Sequence, residues 1–307
     1  KMIKNTIVSL LIVVFIATVA NAHLYGVWQS GSVAEFGTID PTTGNTTMKL
    51  EFPGFNNWVP SNSAMNNFTS IFTFVLTYNQ TGFLVSVNVA TNKVIYFVSI
   101  QDNAVPYGLH YDSDVNSLKC VLKGSDNNTW LIGEMDPASA SYDVYSELDG
   151  AFISAGLSPY THSYFVVIAS LNGENTTMFS FDTRSGQLTN SVVLGQPVNS
   201  MGGPFNLLYL PSLDILVGTV LLNDSSSEIG MDYAMIDTNS GVIKPLGFFP
   251  PSDNALVLSS AAHQNLIYTF GYFSSTQQLI TLNVQTLSQS PVTESDILVS
   301  LGYFTNF

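Results

Sequence analysis

Positive charge is scarce in this chain. Eight lysines and arginines face 22 aspartates and glutamates in 307 residues, leaving a net charge of −14. Such a surface repels a nucleic-acid backbone, so DNA and RNA binding are excluded as function classes. Cysteine is nearly absent: Cys120 stands alone, no intramolecular disulfide can form, and stability has to come from a packed core. Cys120 lies in the apolar run Leu118–Leu122. It reads as a buried structural thiol, because a nucleophile needs a neighbouring histidine and a lowered pKa. Helix-period apolar patterns are few. Gly-x-Ser-x-Gly, His-Glu-x-x-His and Gly-x-x-x-x-Gly-Lys-Ser/Thr are all missing, which removes three familiar kinds of catalytic or phosphate-binding site. Yet 46% of the residues are apolar, too many for a disordered chain.

Only one long apolar run occurs, Ile7–Ala20. Lys1 and Lys4 precede it and Ala20-Asn21-Ala22 follows, the charged head and small-residue exit of a secretory signal. The run falls short of the roughly 20 residues that span a bilayer. Residues 1–22 are therefore expected to be a signal peptide and residues 23–307 a single secreted domain, with no transmembrane anchor after cleavage. Loss of Lys1 and Lys4 takes the net charge from −14 to −16. Six Asn-x-Ser/Thr sequons, at Asn45, Asn67, Asn79, Asn127, Asn175 and Asn223, become usable glycosylation sites on that route.

What fills the rest is strand and turn chemistry: short runs of Val, Ile, Phe, Tyr and Thr broken by Gly, Pro, Asn, Asp and Ser. One phrase recurs. An apolar residue is followed by Asp or Asn, two variable residues, often Ser or Thr, and often Gly. Its polar residues are Asp40, Asn88, Asp136, Asp182, Asp237 and Asn283, spaced by 48, 48, 46, 55 and 46. The carboxylate or amide can bond the backbone two residues on, and glycine accepts a positive φ, so the phrase makes a tight reversal between strands. Three copies, those at Asn88, Asp136 and Asn283, lack the glycine. A hairpin leads into the phrase in Ser70–Asn88 and Ser163–Asp182, and another strand follows the turn.

Four strands in about 48 residues, repeated six times, is the arithmetic of radially packed sheets. The pattern resembles six- and seven-bladed β-propellers whose blades carry a phrase like Ile-Asp-x-x-Thr-Gly. That resemblance implies an all-β β-propeller, and the length favours six four-stranded blades over seven. The segment Leu24–Trp28 aligns with the second strand of a blade that lacks its first, while Asp296–Phe304 reads as a first strand without a blade. Pairing the two would close the ring and cover its edges.

Candidate chemistry is thin. His162 and His263 each precede a turn residue by 20 positions, so they occupy equivalent turns of non-adjacent blades and cannot share a metal. His23 would head the mature chain, where an N-terminal histidine can chelate copper, but no matched second histidine is identifiable. Asp112-Ser-Asp114-Val-Asn116 opens like a calcium loop, yet Ser117 stands where glycine is needed and Lys123 where a bidentate glutamate is needed. An acidic surface turn is expected there. Asp224, Glu228 and Asp232 are expected in a solvated loop. Trp28, Trp58 and Trp130 are expected between blades rather than on a sugar. Asn79, Asn127, Asn175 and Asn223 precede their turn residues by 9, 9, 7 and 14, which places them between second and third strands on the face of the blade-to-blade connections. Asn45 and Asn67 fall on the opposite face.

The function expected from all this is an extracellular binding or protein-interaction module whose partner is a protein or a glycan, with no cofactor. The alternative is a propeller hydrolase or lyase with calcium in its central channel, working through acids and amides on the first strands.

Overall fold

The computed structural model describes residues 22–55, 62–101, 105–126, 128–195, 200–223, 229–249, 256–273, 276–293 and 297–305. Among them there are twenty-four strands and no α-helix. In chain order, β1 (Ala22–Ser30), β2 (Val33–Ile39) and β3 (Thr46–Pro53) begin blade 1. Blade 2 is β4 (Ser63–Asn66), β5 (Ile71–Tyr78), β6 (Thr81–Asn88) and β7 (Lys93–Ser99). Blade 3 is β8 (Tyr107–Asp112), β9 (Ser117–Lys123), β10 (Thr129–Met135) and β11 (Tyr142–Asp149). Blade 4 is β12 (Ala151–Ser158), β13 (Ser163–Ala169), β14 (Thr176–Asp182) and β15 (Leu188–Val193). Blade 5 is β16 (Ser200–Leu210), β17 (Ile215–Asn223), β18 (Ile229–Ile236) and β19 (Ile243–Pro245). Blade 6 is β20 (Leu256–His263), β21 (Leu266–Phe273), β22 (Thr276–Asn283) and β23 (Ser288–Thr293). The last strand, β24 (Ile297–Thr305), returns to complete blade 1 in the order β24-β1-β2-β3.

Every sheet is antiparallel and four-stranded, and the innermost strands touch in a closed circuit: β4, β8, β12, β16, β20, β24 and back to β4. The protein is a six-bladed β-propeller. The closing pair runs from Ala22 opposite Thr305 through Gly26 opposite Leu301 to Gln29 opposite Ile297, with one bulge between Val27 and Trp28.

Second strands read as unbroken apolar runs because a neighbouring blade covers each of their faces, so no polar side remains. In β5, β9 and β13 five consecutive residues are buried, whereas the outermost β7 and β15 are mostly exposed and β11 has no buried residue. Aromatic rings fill the seams. Phe36 of blade 1 stacks on Phe74 of blade 2 at 5.8 Å. Trp28 is buried against Tyr268 and Phe270 of blade 6, and Trp130 meets Phe152 of blade 4 at 5.3 Å. Both tryptophans lie between blades as expected; Trp58 lies outside the described residues. Cys120 is fully buried, and burial pushes its thiol up against the pull of Lys119.

All six recurring turns adopt one geometry. The oxygen Oδ1 of Asp40, Asn88, Asp136, Asp182, Asp237 and Asn283 accepts a backbone N–H two or three residues on, at 2.7–3.0 Å in each. The residue four positions after each is in the left-handed region, including Asn92, Ala140 and Leu287 where glycine is missing.

Candidate functional site

Blade topology creates two faces. One, called upper here, carries the loops between second and third strands and the links between blades. The lower face carries the first-to-second and third-to-fourth turns. At the upper end of the ring the inner strands enclose a cavity of about 500 Å3, lined by β8, β12, β16 and β20 together with Asn62 and Ser63.

The wall is held by side chains that donate to the backbone of the neighbouring blade. Asn62 Nδ2 donates to the Pro106 carbonyl, Ser154 Oγ to the Pro204 carbonyl at 2.6 Å, and Tyr164 Oη to the Gly108 carbonyl at 2.8 Å. Gly108 and Pro204 lie inside breaks of register in β8 and β16, and such bulges free carbonyls from the ladder. His110 Nε2 lies 3.1 Å from the Ala155 carbonyl. A carbonyl only accepts, so Nε2 carries the proton and the ring is a neutral donor. Burial pushes this imidazole from 6.5 down to about 4, against the opposing pull of that carbonyl.

The cavity is therefore neutral and mainly apolar. Phe152, Phe205, Leu207 and Val257 are among its lining residues, and its described lining contains no carboxylate, lysine or arginine. Such a wall can hold an apolar or neutral ligand and supplies no acid–base pair of carboxylates.

Two residues expected in solvated acidic segments lie elsewhere. Asp232 is not in a loop but in β18, fully buried, and accepts the backbone N–H groups of Gly247, Phe248 and Phe249. Burial raises its pKa against those hydrogen bonds. Its partners Asp224 and Glu228 lie outside the described residues. Asp112 is likewise no surface group. It is fully buried, accepts from Thr183 Oγ1 and lies 3.3 Å from Nδ1 of His162 in blade 4. Asn116 of the same turn accepts from Asn66 Nδ2 of blade 2 at 2.8 Å. The turn that resembles a calcium loop therefore ties blade 3 to both neighbours, while Asp114, Val115 and Asn116 at its tip are exposed. The sequence hid this because the partners lie 50 or more positions away.

His162 belongs to blade 4 and His263 to blade 6, where burial lowers the His263 pKa. His23 is exposed and sits edge-on to Tyr25 at 6.1 Å. Among the described residues no group of three or more metal-ligating side chains forms a metal site. Asn45, Asn79 and Asn175 are exposed, and Asn67 is partly buried with Oδ1 enclosed. Asn127 lies outside the described residues; Asn223 ends β17. By strand position, Asn79 and Asn175 lie on the upper face, with Asn223 at the end of a second strand, and Asn45 and Asn67 lie on the lower face. His110 as a cavity residue was not foreseen; its only sequence signal was its place in an inner strand.

No family model and no curated protein matches the sequence. Solved structures do match in shape. A chain from a nidogen/laminin complex is 12% identical with a TM-score of 0.64, covering 92% of this chain and 98% of that one. TolB from Acinetobacter baumannii is 13% identical with a TM-score of 0.62, and the match covers 92% of this chain and 66% of TolB. A putative TolB from Agrobacterium tumefaciens is 10% identical with a TM-score of 0.56, covering 91% and 90%. At these identities the likeness establishes the propeller fold.

Proposed function

We propose that the chain is a secreted, glycosylated propeller acting as an extracellular binding module for a protein or glycan. The observation that carries this reading is the make-up of the ring interior. The six inner strands contain a single acid, Asp112, and it is spent on Thr183 and His162 at the lower end of β8. A calcium-dependent hydrolase or lyase needs acids converging on the channel. A binding module needs a rigid ring and variable turns, because function on such a fold resides in its loops. The signal-like residues 1–22 and the exposed sequons at Asn45, Asn79 and Asn175 support an extracellular role, and the propeller found in a nidogen/laminin complex supports protein binding.

Expression of the full chain in a eukaryotic secretory host tests the reading. The protein is expected in the medium, beginning at His23, glycosylated at Asn45, Asn79 and Asn175, and least at the partly buried Asn67. Its melting temperature is expected to be the same in calcium and in chelator. A cell-retained chain that keeps residues 1–22 would overturn the extracellular role, and a large rise in melting temperature with calcium would favour the enzyme.

A further inference from the structure

The lower face holds a second cavity, at the seam of blades 4 and 5. It encloses about 630 Å3, a volume typical of small-molecule sites. Phe165, Leu216 and Met235 contribute an apolar floor, and Thr161, Asp214 and Asn239 contribute polar groups.

Two tyrosines give the cleft its character. Tyr209 lines it, and its hydroxyl donates to the carboxylate of Asp214. Asp214 holds φ at 53°, as Ser70, Asn116 and His162 do at the same place before the second strands of blades 2, 3 and 4, so the first-to-second turn itself sets its position. The hydrogen bond fixes the direction of the Tyr209 ring. Tyr160 stands 6.0 Å from it at 46° and is 68% exposed. A large aromatic left so bare beside a second, anchored ring offers an apolar stacking surface at the edge of a polar cleft.

The lining carries the carboxylates of Asp214 and Asp237 against the single ammonium of Lys244, and the N–H groups of Asn239 and Ser240 hold Asp237 in its ionised form, so the cleft is one charge negative. An anionic ligand would also meet the chain's net charge of −14. A sugar ring has the complementary chemistry: an apolar face of C–H groups for an aromatic ring, and hydroxyls that pair with planar carboxylate and amide groups. The two lower-face sequons, Asn45 and Asn67, belong to blades 1 and 2, which stand across the ring from blades 4 and 5, so glycans there leave the cleft open.

We infer that the blade 4–5 cleft binds a neutral oligosaccharide, stacked on Tyr160 and Tyr209 and hydrogen-bonded by Asp214 and Asn239. The inference rests on the binding-module reading and names its site and ligand class. The secreted full chain should be titrated with cellotetraose, laminaritetraose, mannotetraose and triacetylchitotriose, by calorimetry and by saturation-transfer NMR. At least one is expected to bind without being cleaved. Tyr160→Ala should weaken that binding about tenfold, the loss of one stacking contact, without changing the melting temperature, and Tyr160→Phe should restore it. Tyr209→Phe, which keeps the ring and removes its anchor, should weaken it by a smaller factor. No binding at millimolar sugar, or binding indifferent to Tyr160→Ala, overturns the inference. So does a Tyr160→Ala variant that loses a protein partner while no sugar binds, although that result leaves the module reading intact. Cleavage of a probe would overturn the module reading instead.

Discussion

Gly186 and Tyr145 fit together across the seam of blades 4 and 3: a methyl group on Gly186 would lie 2.6 Å from Cγ of the Tyr145 ring. The ring cannot readily retreat. Lys119, itself fully buried, lies with Nζ 2.8 Å from the Tyr145 hydroxyl and 2.7 Å from the Glu134 carboxylate. Burial works to raise the Glu134 pKa, but the hydrogen bonds from Lys119, Ser117 and Tyr145 prevail and hold it at about 2. The recurring turn is therefore a joint between blades as well as a reversal of the chain. In blade 5 the same position, Gly241, offers its carbonyl to the N–H of Gly195 at 2.8 Å.

Gly186→Ala should consequently cost more than a φ penalty alone. A left-handed alanine costs about 1 kcal/mol, and displacing an anchored ring adds about 1–3 kcal/mol. Gly173→Ala is the matched control, because Gly173 has φ +72° with nothing within 4 Å of the added carbon. Denaturant melts should show Gly186→Ala as the clearly less stable of the two; equal losses would mean that the fit to Tyr145 is unimportant.

Leu287 offers the reverse test. It occupies the glycine position of the sixth turn at φ 52°, with 57% of its surface exposed. Leu287→Gly removes the strain and little packing, so it should stabilise the protein by about 1 kcal/mol. A lower melting temperature than the parent would contradict this.

His110 sets a pH window. Its ring is neutral in the folded protein down to about 4, against 6.5 for an unperturbed histidine. Folding therefore disfavours the protonated ring: the stability tied to the neutral form is complete above 6.5 and is lost as pH falls toward 4. The loss should be about 2 kcal/mol, less than full conversion of the shift because the ring borders an open cavity. Stability curves for the parent and His110→Gln should converge between those pH values, and parallel curves would assign the effect elsewhere.

Closure predicts an all-or-none effect. Deleting residues 297–307 removes the inner strand of blade 1 and bares the edge of β1 along its whole length. The truncated chain should fail to give a cooperative melt and should aggregate through the open edge. A soluble truncated chain with the parent's unfolding transition would show that the ring does not depend on its seal.

Much of the architecture was written locally. The Asp or Asn that starts each turn finds its partner two or three residues away, so Asp40, Asp182 and Asp237 could be read without any fold. The fixed spacing of those turns then counted the blades, and the unmatched Leu24–Trp28 and Asp296–Phe304 announced the closing pair. The left-handed Ala140 and Leu287 were legible only as equivalents of Gly186, since nothing in their own chemistry asks for that conformation.

The sites were another matter. Asp112 and Asp232 look alike in the sequence as members of acidic segments, yet both are buried, because the groups that satisfy them come from the next blade or from a later loop. Tyr160 and Tyr209 are 49 positions apart and became neighbours only when two first-to-second turns were set side by side. A repeat encodes each blade through short-range hydrogen bonds and apolar runs, so the unit was legible in the sequence, while six blades and the closing pair stood there as expectations that the sheet topology then established. Which side chains meet at the seams depends on the rotation from one blade to the next, and only the tertiary structure decided that.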